Sequence, residues 1–183
     1  NNFDVICFHY AYTKNYNDNK KFKLKKSLNE NLYKIDEVFK RINGNSKIII
    51  SNTIFQDVKE KKYSATNTYG ISKTKTYEKI KYYCKLSNLK YKSIFITNPW
   101  GILEEKKLNY LLIKNWLNNK TPKITFPNYI RDNILIDDLS NAYYKILNSN
   151  SKKINYFPSG YCSSNEVFIS ALKNKFEKFF KKK

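Results

Sequence analysis

The chain has 183 residues, 41% hydrophobic and 16% aromatic, which excludes a disordered polymer and suits a domain with a buried core. Its formal charge of +20 comes almost wholly from lysines spread along the chain, with Arg41 and Arg131 the only arginines, so weak attraction to polyanions is expected but no specific nucleic-acid site. Cys7, Cys84 and Cys162 lack metal or disulfide spacing, and no run approaches the ~20 apolar residues of a membrane span, so a cytoplasmic protein without metal or membrane anchor is expected.

"FDVICFHYA" (residues 3–11) is an apolar run of the kind that forms a strand buried on both faces of a parallel sheet. The chain contains no methionine, and a domain seldom opens on such a strand, so a native N-terminus upstream of Asn1 is expected. Leu28, Leu32, Ile35, Val38, Phe39 and Ile42 then recur at helical spacing, with Gly44 as a stop. "SKIIISNT" reads as a second buried strand with a polar end, and a polar loop runs on through Thr66. "TYGISKTKTYEKIKYYCK" opens a helix whose inward face is expected to carry Ile71, Ile80, Tyr83, Cys84 and Leu86. "YKSIFITNPWG" predicts a third strand. This alternation of strand and helix, with short connections, predicts an α/β fold with parallel crossovers.

The second half has a different texture. "EEKKLNYLLIKNWLNN" predicts an amphipathic helix through Leu108, Leu111, Leu112, Ile113 and Trp116. Short extended pieces follow, then a helix from about Asp137 to Leu147. A turn at Pro158–Gly160 precedes a last helix capped by Ser163 or Ser164, with Glu166 in its first turn. There are no internal repeats and no long linker.

Tyr69 and Lys73 lie four residues apart, about one helical turn, so they share a face. An ammonium beside a phenol favours the phenolate and draws its pKa down from ~10. Such a tyrosine can exchange a proton with a sugar hydroxyl or carbonyl. The spacing recurs at Tyr77 and Lys81, so by itself it also fits two abundant residues meeting by chance. Position adds weight, because the pair follows a strand ending in Ser51 and Thr53, at the carboxyl edge where open α/β sheets bind ligands. A strand-end capping hydroxyl is the alternative for Thr53. His9, the only histidine, reads as a core or loop residue.

"SNT" followed by "YGISK" resembles the extended short-chain dehydrogenase/reductases, the NAD-dependent epimerase/dehydratase family of nucleotide-sugar enzymes. "FDVICFHYAYTKNY", "FITNPWG", "YIRDNILIDDL" and "PSGY" resemble further segments of that family in the same order. The resemblance implies a Rossmann-like parallel sheet with helices on both faces and a smaller C-terminal substrate-binding lobe. It places a partial dinucleotide-binding domain at 1–100 and mostly substrate lobe at 101–183, with segments returning to the sheet. It also implies Thr53 as the group that bonds the reacting sugar oxygen, Tyr69 as general acid/base, and Lys73 as its tuning partner and ribose ligand. Ala11 and Pro99 would approach an NAD or NADP cofactor, and Asn98 and Arg131 the substrate diphosphate. For Arg131 the alternative is an ion pair with Asp132, Asp137 or Asp138; for Asn98 it is a turn before Pro99. A homodimer through the Tyr-bearing helix is common in such families.

Two departures from the family bear on function. None of the 4 glycines forms the Gly-rich turn that holds the cofactor pyrophosphate, so that cradle is expected upstream, and NAD binding by these residues alone is expected to be weak or nil. Thr53 is followed by Ile54 and Phe55 rather than the Asp-Glu pair of the sugar dehydratases, which favours epimerisation or simple oxidoreduction over loss of water. The alternatives are a non-catalytic descendant of the fold that binds a nucleotide or protein and, less favoured, a basic nucleic-acid-binding domain.

Overall fold

The computed structural model of the chain describes residues 3–42, 44–56, 65, 67–102 and 107–180. In chain order the elements are β1 (Val5–Phe8), α1 (Leu24–Asn31), α2 (Ile35–Arg41), β2 (Lys47–Thr53), α3 (Thr68–Leu86), β3 (Tyr91–Ile96), β4 (Asn98–Trp100), α4 (Leu108–Leu117), β5 (Ile130–Leu135), α5 (Ile136–Asn148), β6 (Asn155–Tyr156), β7 (Tyr161–Ser164) and α6 (Asn165–Phe180). They divide into two compact units. One takes Asn1–Ile96 with Lys145–Phe157, the other Thr97–Tyr144 with Pro158–Lys183. Among the described residues no helix is long and apolar enough to cross a membrane.

The first unit is built on a parallel sheet in the order β1-β2-β3-β6, flanked by helices. Strand β2 lies inside it and is buried from Ile48 to Thr53, as its unbroken apolar run requires. Ile48 and Ile50 pack with Ile35 and Phe39 of α2, Ile80 and Cys84 of α3, and Leu89. Period-two alternation turns these two isoleucines to one face and Ile49 to the other.

Four expectations need correction here. The first strand is not buried on both faces: among the described residues β1 pairs only with β2, and Val5 and Cys7 are exposed. The expected helix over 28–42 is two helices, because Lys34 takes a left-handed conformation (φ 52°). The break lets α1 present Ser27 and Asn31 to α3 while α2 drives Ile35 and Phe39 into the core, leaving Val38 exposed. On α3, Ile71 and Leu86 are exposed, and the buried positions are Gly70, Ser72, Lys73, Thr76, Ile80 and Cys84. The inner stripe of this helix is therefore polar in its first half, which a search for apolar periodicity passes over. Finally, "YKSIFITNPWG" forms two strands in two sheets, β3 and β4, parted at Thr97. Much of the polar loop up to Thr66 lies outside the described residues.

In the second unit, β5 pairs in parallel with β4 and antiparallel with β7. Leu112 and Trp116 of α4 pack on Phe168 and Ile169 of α6, with Trp100, Leu108 and Ile113 against them. Leu111, expected on the inner face of α4, is instead exposed. The Ser164 hydroxyl accepts the Val167 N–H at 3.3 Å, capping α6 with Glu166 in its first turn.

Candidate functional site

Strand β2 ends in Ser51, Asn52 and Thr53, all buried, at the carboxyl edge of the parallel sheet. The Thr53 N–H donates to the Gln56 side-chain oxygen at 3.0 Å, and the Thr53 hydroxyl accepts the Phe55 N–H at 3.4 Å. Thr53 thus does cap the turn that leaves the strand, the alternative weighed for it. A hydroxyl that accepts one bond retains its own O–H to donate.

The N-terminus of α3 is fixed against that turn. Asn67, a favoured cap residue, accepts the Gly70 N–H at 2.7 Å, and Asn19 accepts the Thr68 N–H at 2.8 Å. At Gly70 the backbone passes so close that a Cβ would lie 2.7 Å from the Phe55 carbonyl carbon and overlap its oxygen. The turn carrying Thr53 and the turn carrying Tyr69 are therefore pressed together without a side chain between them.

Tyr69 is half-buried, and its ring meets Tyr16 and Phe22 edge-on at centroid distances of 5.6 and 5.9 Å. Burial, and then the neighbouring Tyr16, push its phenol above the ordinary value. This is opposite to the lowering expected from Lys73. The Lys73 ammonium is directed at the strand end instead, donating to the Ser51 carbonyl at 2.8 Å. Lys73 is only 5% exposed, and desolvation lowers its pKa to about 8.

That burial has a consequence for stability. Below pH 8 the folded chain carries the full cost of a buried ammonium. Between about pH 8 and 10.5 the unfolded chain keeps this proton while the folded chain releases it, so the Lys73 contribution to stability rises with pH. Stability of the natural chain minus that of Lys73→Met should climb by about 3 kcal/mol across this window, with other lysines cancelling in the difference. Urea denaturation at several pH values checks this; a flat difference would refute it.

Sequence reasoning missed several residues here. The Ser51 hydroxyl lies 2.7 Å from His9 Nδ1 and 3.8 Å from Cys7 Sγ, so the lone histidine is tied to the residue that holds Lys73. Asn52 is 3% exposed, and both its amide atoms lack a partner among the described residues. It lines a pocket of about 130 Å³ with Lys73, His9, Asn31, Thr76 and Tyr77. The available signal was the polar ending of an apolar strand, "SNT". The roles of Tyr16, Phe22 and Asn19 depend on long-range packing that no local pattern carries.

The other expected site residues are distributed as follows. Ala11 is half-buried, three residues beyond β1 in the first unit. Asn98 and Pro99 belong to β4 and Arg131 to β5, all in the second unit. Asn98 is a strand residue rather than a turn initiator, and its amide donates to the Asn133 side chain at 2.6 Å. Arg131 forms no ion pair among the described residues, and its guanidinium lies 5.2 Å over the Tyr129 ring. Thr53, Tyr69 and Lys73 all belong to the first unit, with Lys73 and the turn that carries Tyr69 held against the end of β2.

An NAD cofactor can be tested against these residues. One of three N–H donors on the buried Lys73 ammonium is taken by Ser51; the other two have no partner among the described residues and suit the vicinal hydroxyls of a ribose. The nicotinamide-ribose end of the cofactor therefore fits, while the 183 residues offer no Gly-rich turn for its pyrophosphate.

Residues 42–156, more than half of the chain, match the model of the NAD dependent epimerase/dehydratase family. The fold is similar to that of the UDP-glucose 4-epimerase of Thermotoga maritima, with a TM-score of 0.71 and 16% identity over 96% of this chain and 60% of that one. It is also similar to the UDP-N-acetylglucosamine 4-epimerase of Methanobrevibacter ruminantium M1 (TM-score 0.73, 14% identity, 95% and 61% covered). A third likeness is to the dTDP-glucose 4,6-dehydratase of Bacillus anthracis, solved with NAD (TM-score 0.71, 18% identity, 93% and 57% covered). The chain spans about 60% of the length of these solved structures. A search of curated protein sequences finds no match. The parallel sheet flanked by helices agrees with these folds, and the match over residues 42–156 shows that the chain belongs to the NAD dependent epimerase/dehydratase family.

Proposed function

We propose that this chain is the catalytic edge and substrate lobe of an NAD-dependent nucleotide-sugar epimerase or oxidoreductase. The observation that carries the reading is the buried Lys73 ammonium, held 2.8 Å from the Ser51 carbonyl at the end of β2, on the same helix face as Tyr69. Residues 1–100 then contribute part of a dinucleotide-binding domain, and residues 101–183 most of a substrate lobe.

In this reading, Tyr69 holds and moves the proton at its Oη. With its pKa raised by burial, the phenol is protonated at neutral pH and ready to donate to a sugar carbonyl oxygen. Donation leaves a phenolate, which the positive charge of Lys73 stabilises, and in the reverse direction that phenolate takes the hydroxyl proton and returns to the phenol. Thr53 donates its O–H to the same sugar oxygen and fixes its orientation. Lys73 also bonds the cofactor ribose, with Ala11 and Pro99 lining the cofactor. Asn98 and Arg131 bind the substrate diphosphate, for which a planar guanidinium is suited. The nicotinamide, when bound, accepts and returns hydride. Ile54 and Phe55 after Thr53 supply no acid for elimination of water, which supports epimerisation or oxidoreduction. The same reading includes a homodimer through α3, where Tyr82 and Leu86 are exposed.

The test is to supply the full-length protein with NAD and UDP-hexoses and follow the sugar by proton NMR. Inversion at one sugar carbon, or stoichiometric reduction of NAD, is the expected result; neither across the common UDP-hexoses would overturn the proposal. A second expectation concerns the 183 residues alone. Lacking a pyrophosphate cradle, they should bind NAD weakly or not at all by calorimetry, and a micromolar dissociation constant would contradict this.

A further inference from the structure

The opposite end of the same sheet carries a second feature, which the proposed chemistry does not use. β2 and β3 begin at Lys47 and Tyr91, and the segment leading into β6 runs alongside them. Where these three parallel strands start there is a pocket of about 420 Å³, within the size range of sites for small organic ligands. Its lining reaches Ile49, four residues or roughly 13 Å along β2 from Thr53.

The lining divides by chemistry. Lys47, Lys90, Lys92, Lys152 and Lys153 contribute to it, and no acidic residue does. Lysine thus makes up five of fourteen lining residues, in a chain with 35 basic residues in 183, while 15 acidic residues elsewhere supply none. The charge bias is therefore local, beyond the general basicity of the chain. None of the five lysines pairs with a carboxylate among the described residues. Like charges gathered around one pocket repel each other, a cost that an anionic ligand would reduce. The floor, by contrast, is apolar, with Ile49, Leu89 and Leu147.

The rim is held in place by its own bonds. The Lys92 ammonium donates to the Ile146 carbonyl at 2.8 Å and to the Ser149 carbonyl, tying the end of α5 to β3. Ser149 and Ser151 side chains accept the Ser151 and Lys153 N–H groups, each at 3.1 Å, and so shape the loop that presents Lys152 and Lys153. The ammonium groups of Lys92 and Lys153 both lie over the Tyr156 ring, at 5.6 and 5.5 Å.

We infer that this pocket binds a small organic phosphate with an apolar or aromatic body, the body on the isoleucine and leucine floor and the phosphate among the lysines. Lysine is a compact point charge that binds phosphate without demanding one orientation, which suits such a ligand. The inference stands independently of the proposed catalytic function.

Calorimetry with three probes tests it on the protein: AMP, adenosine and inorganic phosphate. AMP should bind at one site and more tightly than either of the others, because only it has both the body and the anion. The triple variant Lys90→Glu, Lys152→Glu, Lys153→Glu should weaken AMP by about tenfold or more, the scale of a few exposed charge contacts. Lys173→Glu, Lys175→Glu, Lys178→Glu on α6 changes the net charge equally and should leave AMP binding unchanged. If charge reversal impairs folding, judged by the thermal midpoint, the glutamine versions of the same three lysines replace it with the same expectation. Absence of AMP binding, several equivalent sites, or equal weakening by the α6 variant would each overturn the inference.

Discussion

Replacing Tyr69 with phenylalanine in the full-length protein is expected to lower turnover by about 10²–10⁴-fold, the range spanned by positioned general acid–base groups. The fold should survive, because the contacts that hold this residue are made by its ring. Tyr16 and Phe22 meet that ring edge-on, and phenylalanine presents the same edge and face to both. The Tyr69 hydroxyl has no partner among the described residues, so its loss strands no buried donor or acceptor. A denaturation midpoint close to that of the natural protein, together with lost turnover, is the expected pair of results. Tyr77 provides the comparison, since Lys81 follows it at the same spacing. Lys81, however, is exposed and lies 5.4 Å over the Tyr77 ring, and the Tyr77 hydroxyl donates to Asn155 at 3.3 Å. Tyr77→Phe should therefore leave turnover nearly intact. Equal effects from the two variants, or near-full activity of Tyr69→Phe, would remove Tyr69 from the proposed mechanism.

The contrast between these two pairs shows what was legible in the sequence. A Tyr-Lys spacing of four is common in a chain this rich in both residues, and spacing alone could not separate the pairs. What distinguishes the pairs is the lysine: Lys73 is buried against the end of β2, whereas Lys81 is exposed. The apolar run "KIIIS" predicts β2 correctly because a strand covered on both faces needs no alternation. The inner stripe of α3 was misread for a related reason. Its buried positions near the strand end are Ser72, Lys73 and Thr76, polar residues that hydrophobic periodicity assigns to solvent. They are tolerated because each has a partner: Ser27 and Asn31 of α1 hydrogen-bond Ser72 and Thr76, and the Ser51 carbonyl takes Lys73. The split between α1 and α2 was illegible for the same cause. The apolar spacing continues across Lys34, and only the need to bring Asn31 to α3 and Phe39 to the core breaks the helix there.

Gly70→Ala is expected to destabilise the protein by about 3 kcal/mol, near the upper end for overpacking, because the added methyl meets backbone rather than a movable side chain. The position does not demand glycine for its conformation, since no glycine among the described residues has a positive φ. It demands glycine for space, as a Cβ there would overlap the Phe55 carbonyl oxygen and approach Asn67 Oδ1 at 3.3 Å. To relieve the overlap, either the first turn of α3 lifts away from the strand end or the turn after Thr53 shifts. The first movement weakens the Asn67 cap and displaces Tyr69; the second disturbs the bond between Thr53 and Phe55. Stability and turnover of the full-length protein should therefore fall together, unlike the effect of Tyr69→Phe, which separates them. Gly44 is the control. A Cβ there meets nothing within 4 Å and the backbone is not left-handed, so Gly44→Ala should be neutral or stabilising by up to about 1 kcal/mol through loss of freedom in the unfolded chain. Urea denaturation of the two variants side by side decides the matter. If Gly70→Ala matched Gly44→Ala in stability, the close approach of α3 to the turn after Thr53 would be refuted, and with it the packing that sets Tyr69 beside the end of β2.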